Sequence, residues 1–373
     1  MKKLILVLLC FMLTGCLEQK YIERIGMITA VGYDLGNQNK IKGTTVAFQF
    51  DPTRQNVSQT LTSEANTSKG IREAMNRETS HHLVSGQLRV SLYGEELARR
   101  GIYTFVDTLA RDASVGTMSY LAVASPGAAS ILSAENLSIT TNVGTYLYRL
   151  LEQNIKSEQT ISSTLHEFLK TYYEVGMDPI LPMISLINEK EVTIEGMALF
   201  NEDKMVGVLT PEESFYLKLI REHFKSGSIE MELPREVMKE ALVEKKGNES
   251  VFITIDNIKS TSDISVKNKK SPDFNVDIKM EARLLEVSEE LVSDQQITTR
   301  VLEKAIKHTI KSETKKLIEI LKEKESDPAG FGITYKSTFD KSDLSNEQWR
   351  SLYQKMNLTT AITVSVISIG VMD

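Results

Sequence analysis

An α+β fold with several domains, in which packed helices cover mixed or antiparallel sheets, follows from three features of the sequence. Val276, Ile278, Met280, Ala282 and Leu284 alternate with Asp277, Lys279, Glu281 and Arg283, the period of a half-buried strand with one wet face. From about Gln296 to Glu325 the apolar period lengthens. Leu302, Ile306, Ile310, Leu317 and Leu321 fall there on one stripe of a long helix whose other faces are Lys and Glu. At the end of the chain Ile362, Val364 and Val366 alternate with Thr363 and Ser365. Strands at Val251–Ile258, Asn275–Leu285 and Thr360–Ile369 under that helix predict a C-terminal α+β domain over 251–373, with the long helix lying on an antiparallel sheet.

From the beginning, MKKLILVLLCFMLTGCLEQK sets two lysines before a short apolar run. The run falls short of the roughly 20 apolar residues that a bilayer-crossing helix needs, and its anatomy is that of an export signal. Leu13-Thr14-Gly15-Cys16 adds small residues directly before a cysteine, the pattern that bacterial lipoprotein machinery reads. The expectation is a signal peptide over 1–15, a lipidated tether over 16–20, and Cys16 as the first mature residue, carrying an S-diacylglycerol thioether and an N-acyl chain such as palmitate. An ordinary signal peptide that happens to contain a cysteine is the alternative. Cys10 lies inside the signal, so the mature chain has one thiol and no internal disulfide. A single acyl chain holds a protein to a membrane only marginally, whereas two or three anchor it.

Residues 21–189 read as an N-terminal α+β domain. Ile25–Asp34 and Thr44–Phe50 form an early hairpin about the Gly36-Asn37 turn. Asp51–Ser68, rich in Thr, Ser, Asn and Gln, reads as a mobile loop. Leu88–Tyr93 reads as a strand, and Gly94-Glu95-Glu96 opens a helix with Leu97, Phe105, Val106 and Leu109 on its apolar side. Tyr120–Ala124 is a further strand.

Two prolines at 179 and 182 interrupt regular structure, and a boundary near Lys190 separates a middle domain over 190–250. Gly196–Val208, with Lys204 at its middle, predicts a hairpin. Pro211-Glu212-Glu213 then starts a helix carrying Phe215, Tyr216, Leu219, Ile220 and Phe224 on its core face.

An apolar content of 41% and a charged content of 25% suit a globular core, and a net charge of −6 without a basic stripe argues against nucleic-acid binding. No catalytic, cofactor-binding or metal-ligating set stands out: a phosphate loop, a dinucleotide fingerprint, paired CxxC and HExxH are all missing. His81 and His82 are consecutive and diverge on a strand or a helix. His166, His223 and His308 sit in helical stretches and read as satisfied or exposed, while Glu95 and Glu96 suit the first turn of a helix. Asp327-Pro328-Ala329-Gly330-Phe331-Gly332 reads as a helix stop whose Phe331 tucks onto the core.

Several segments together resemble the Ger(x)C family of spore germination lipoproteins, the C subunits of nutrient germinant receptors. They are the cysteine box followed by IGMITAVGYD (Ile25 to Asp34), GQLRVSLYGEELARRGI (Gly86 to Ile102) with VDTLARD after it, and EGMALFNEDKMVGVLTPEES (Glu195 to Ser214). DPAGFG (Asp327 to Gly332), Trp349 and the terminal strand ending at Gly370 complete the set. Family members commonly carry Trp-Asp after the lipidated cysteine, where this chain has Leu17-Glu18.

The resemblance implies a three-domain α+β architecture, no enzymatic activity and no cofactor. It also implies a lipid-anchored subunit on the outer face of the spore inner membrane, assembled with integral-membrane A and B subunits to start germination in response to amino acids or sugars. A docking and signalling role is the first expectation. The alternative is a nutrient-binding lipoprotein that captures a small germinant and passes it to the transporter-like B subunit.

Overall fold

The computed structural model describes residues 24–50, 57–134, 142–188 and 190–369. Cys16, the signal and the tether lie outside the described residues.

Strands β1 (Ile25–Leu35) and β2 (Ile41–Gln49) form the expected hairpin, with Leu35 opposite Ile41 and Gly26 opposite Gln49. The polar stretch read as a loop contains a strand, β3 (Val57–Ala65), paired along its whole length with β2. It lies at the edge of the sheet, where few of its side chains meet the core. Leu61 is buried, and the Thr, Ser and Gln residues around it hide the alternation. After α1 (Ser68–Asn76), β4 (His82–Val84) and β5 (Val90–Gly94) both run parallel to β1.

The single helix expected after Gly94 is two, α2 (Glu95–Arg100) and α3 (Tyr103–Ala110). Gly101 ends α2 at φ 119°, a conformation closed to residues with a Cβ. Then come β6 (Tyr120–Ser125), α4 (Ala128–Leu132), α5 (Val143–Lys156) and α6 (Leu165–Tyr173). The strands β7 (Ile180–Ile187), β8 (Glu191–Asn201) and β9 (Lys204–Leu209) complete this sheet.

Its order is β3-β2-β1-β5-β6-β7-β8-β9, with β4 on the flank of β1. β1, β5, β6 and β7 are parallel and buried on both faces, which is why Val90–Tyr93 and Leu121–Ala124 read as near-continuous apolar runs. One face packs Tyr33, Tyr93, Phe105 and Phe200, and the other packs Val46, Leu92, Ile131 and Leu147.

α7 (Pro211–Arg221) starts where the proline predicts, with Thr210 and Glu213 forming a capping box. The second sheet has the order β10 (Ile229–Pro234), β11 (Ser250–Lys267), β12 (Asp273–Val287), β13 (Asn357–Ile369). α8 (Arg235–Met238) follows β10, and α9 (Gln295–Glu323), α10 (Phe331–Thr338) and α11 (Asn346–Tyr353) fill the crossover from β12 to β13. This crossover makes β13 parallel to β12, so the sheet is mixed and not purely antiparallel as expected. Asp294 caps α9 by accepting from the Gln296 and Ile297 amides at 3.0 Å each. The predicted stripe of Leu302, Ile306, Ile310, Leu317 and Leu321 is buried against the sheet, each side chain worth about 1.5–3 kcal/mol.

The segment 190–250, read as a middle domain, builds no sheet of its own: β8 and β9 extend the first sheet and β10 begins the second. The reason is local, because β7 and β8 pair as a hairpin across the Lys190 turn. His223 lies beyond the end of α7, where its Nδ1 accepts from the Ser262 amide at 3.3 Å. With eleven helices among the described residues, two mixed sheets and one long C-terminal helix, the chain has the α+β class that its periodicities predict.

Candidate functional site

The motif segments are far apart in the chain and meet in space. Asp34, at the end of β1, accepts from the amides of Ala128 and Ala129 at 2.8 Å each and so holds the start of α4. The turn between β8 and β9, Glu202-Asp203, does the same for the α2–α3 junction. Ile102 N–H donates to the Asp203 carbonyl and Tyr103 N–H to Asp203 Oδ2, both at 3.1 Å.

From that turn a continuous network crosses into the C-terminal half. Glu202 N–H donates to Asp178 Oδ1 at 2.9 Å, and Asp327 N–H donates to Asp178 Oδ2 at 2.8 Å. The Asp178 amide returns a bond to the Asp327 carbonyl at 2.9 Å. Arg350 grips the Asp178 carboxylate with two guanidinium nitrogens at 2.9 and 3.3 Å. The Asp327 carboxylate takes four donors: the Gly330 and Phe331 amides on Oδ1 at 2.9 and 3.1 Å, and the Gly332 amide and Trp349 indole on Oδ2 at 3.0 and 3.1 Å. Ser326 Oγ donates to the Phe200 carbonyl at 2.6 Å, and Tyr353 OH to the Ser326 carbonyl at 3.0 Å.

Asp178 is 5% exposed and Asp327 1%. Burial pushes the Asp327 carboxyl up to about 7, against the pull of the Gly332 amide and with the help of the nearby Asp178 charge. A pKa near 7 suits a general acid or base, yet the surroundings leave no place for a substrate. The neighbouring cavity, lined by Asp178, Trp349 and Arg350, holds about 10 Å³, close to the minimum for one water. The Asp327 oxygens already face four donors, so a metal would have to displace them. The arrangement is a buried junction.

Because the Asp327 pKa is raised above its ordinary 3.8, folding takes up a proton between that value and about 7. The corresponding stability is present in full below 3.8 and is lost as pH rises through about 7. Each pH unit of that window is worth about 1.4 kcal/mol. Urea midpoints of the wild type are therefore expected to fall between pH 4.5 and pH 8 relative to those of Asp327→Asn. Parallel profiles for the two proteins would count against this assignment.

Sequence reasoning accounted for DPAGFG as a helix stop with an inward phenylalanine. Phe331 is indeed fully buried, with its ring 5.0 Å from that of Phe274. It missed Asp178, Asp327, Arg350 and Trp349 as one cluster. A signal was present in two of the three Asp-Pro pairs of the chain, Asp178-Pro179 and Asp327-Pro328. The other candidates do not converge. His81 contacts the Ser80 hydroxyl, and Glu95 pairs with Arg99 at 2.8 Å while accepting from Ser125 Oγ. Among the described residues no group of three His, Cys, Asp or Glu is placed to hold a metal ion, and no helix is long and apolar enough to cross a membrane.

At the rim of the junction lies an aromatic patch. Tyr103 stacks on Tyr172 with centroids 4.4 Å apart, and its hydroxyl lies 2.7 Å from that of Tyr173, which is 63% exposed.

Two family models match the chain. Residues 18–186 match the spore germination protein N-terminal domain, and residues 195–370 match the C-terminal domain described as spore germination B3/GerAC like. The Lys190 turn falls between them, and the buried network joins residues of both. The chain is 27% identical over 375 residues to the spore germination protein GerQC of Bacillus cereus, covering 100% of each chain. It is 24% identical to the putative spore germination protein YfkR of Bacillus subtilis (strain 168), covering 98% of this chain and 96% of that one. The crystal structure of the GerBC protein superposes with a TM-score of 0.52 over 90% of this chain and 96% of that one; at 15% identity this likeness shows the fold. With matched domains spanning nearly its whole length in the order the family has them, the chain belongs to the Ger(x)C family of spore germination proteins.

Proposed function

We propose that the chain is a lipid-anchored subunit of a spore nutrient germinant receptor, held through Cys16 to the outer face of the inner membrane. It docks on the integral-membrane A and B subunits and transmits their state, without catalysing a reaction. The observation that carries this reading is the buried junction. Glu202 and Asp327, which lie in the family-like motifs, both donate their amides to Asp178 across the two halves, and Arg350 grips the same carboxylate, beside a cavity of about 10 Å³, which is too small for a nutrient. Halves locked in this way move as one body, so a displacement imposed on either reaches the other. The exposed Tyr173, stiffened by its two tyrosine neighbours, is the kind of aromatic anchor that partner surfaces use.

The test has two arms. Expressed without other receptor subunits, the wild-type chain is expected in the membrane fraction and Cys16→Ala almost wholly in the soluble fraction, since each buried methylene is worth about 0.8 kcal/mol. Retention of Cys16→Ala on the membrane sinks the anchor. Solubilised from spores in mild detergent, the chain is expected to co-purify with multi-pass receptor proteins, and recovery of the chain alone sinks the docking role.

A further inference from the structure

β13 ends the second sheet, and among the described residues no strand pairs with its outer edge. Open edges are normally blunted by shortness, charge, proline or a bulge. The other end of this sheet obeys the rule: β10 has six residues, exposes Glu230 and Glu232, and ends at Pro234. β13 does not. Its thirteen residues, NLTTAITVSVISI, contain no charge, no proline and no glycine. Only near its C-terminal end is there an irregularity, where the register with β12 shifts and the Val366 amide donates to Glu303 of α9 at 3.0 Å. Among the described residues, no strand covers the stretch before it.

Alongside that stretch runs a groove of about 470 Å³ between α9 and residues Met356–Thr360. Its helical wall presents Lys311, Lys315 and Lys322, spaced to share one face, with Ile318 at its floor. Glu319, 3.8 Å from Lys322, is its only acidic lining residue. The wall is therefore net positive, although the protein as a whole carries −6.

We propose that this groove receives an extended, acidic segment of a partner protein, which adds to β13 as a fifth strand of the second sheet. Main-chain hydrogen bonds to the open edge supply affinity in strand addition, and alternate side chains supply specificity. Here every second side chain of the incoming strand faces α9, where carboxylates meet the three lysines. The inference rests on the docking reading only in taking the partner to be another receptor subunit.

The test reads the groove alone, so its outcome is separable from that of the docking experiment. The full-length chain in detergent is titrated with a synthetic (Glu-Val)5 peptide, and amide hydrogen exchange is followed across β13. The expected result is saturable binding with slowed exchange between Leu358 and Val364, weakened at least tenfold in Lys311→Glu/Lys315→Glu, two exposed positions whose exchange leaves the fold intact. Absence of protection, equal binding of (Lys-Val)5, or an affinity unchanged in the double variant overturns the proposal. So does protection that appears without peptide as protein concentration rises, since the occupant is then a second copy.

Discussion

Replacing Asp327 by alanine is expected to destabilise the folded chain by about 3–5 kcal/mol, the scale of losing a buried acceptor that several donors share. The magnitude follows from what is stranded. The Phe331 and Gly332 amides and the Trp349 indole lose their acceptor in a buried place, and the Gly330 amide keeps only a 3.4 Å contact to the Asp327 carbonyl. Each unsatisfied buried donor costs about 1–3 kcal/mol, partly recovered as the loop relaxes. The turn that aims Phe331 and α10 at the core is built by those same amides, so the loss should spread to the packing of Phe274 and Tyr353 around Phe331. Urea denaturation read by tryptophan fluorescence suits the measurement, because Trp349 is the only tryptophan and sits in the junction. A loss below about 1 kcal/mol would mean that the Asp327 carboxylate does not hold the junction together.

Gly176→Ala is expected to lose about 2–6 kcal/mol, by adding a strained backbone to an overpacked contact, each worth about 1–3 kcal/mol. Gly176 has φ +96°, and a Cβ there would stand 2.5 Å from the Gly332 carbonyl carbon. The constraint is mutual, since a Cβ on Gly332 would stand 2.3 Å from Gly176 Cα and 2.7 Å from the Trp349 ring. Two backbones, one from each half of the chain, touch at this point, and neither can rotate away as a side chain could. The contrast is with Gly86 and Gly116, where an added Cβ meets nothing within 4 Å and alanine should change stability by no more than about 0.5 kcal/mol. Thermal unfolding of the three variants beside the wild type checks this. A Gly176→Ala protein melting with the Gly116→Ala control would show that the two halves are not held this closely.

Legibility in the sequence followed burial. β12 and α9 each have one wet and one dry face, so their periods of 2 and 3.6 stand out in the residues themselves. β3 has little dry face, and the hydrogen bonds that make it a strand come from β2, so its own composition looked like a loop. The break between α2 and α3 was hidden because apolar residues continue across Gly101, and only the backbone angle there separates the helices. The parallel entry of β13 was equally hidden, since alternation marks a strand without marking its direction.

The candidate site was the least legible part, for a reason of distance. Asp178 and Asp327 are 149 residues apart, and Asp178 and Arg350 are 172 apart, so no local spacing joins them. Taken singly, each Asp-Pro pair is a turn signal and Trp349 a core residue. The expectation at Cys16 is of the opposite kind, because lipid-modifying enzymes read a linear chain before it folds, and a few adjacent residues suffice. The periodic elements, the fold class and the family could be read along the chain, because all of them depend on neighbours in sequence. Folding alone sets Asp178 against Arg350 and Asp327 against Trp349 in one junction between the halves, and leaves β13, among the described residues, without a strand on its outer edge. Partners across space are chosen by sheet order and packing, and residues brought together by folding leave no spacing behind them in the sequence.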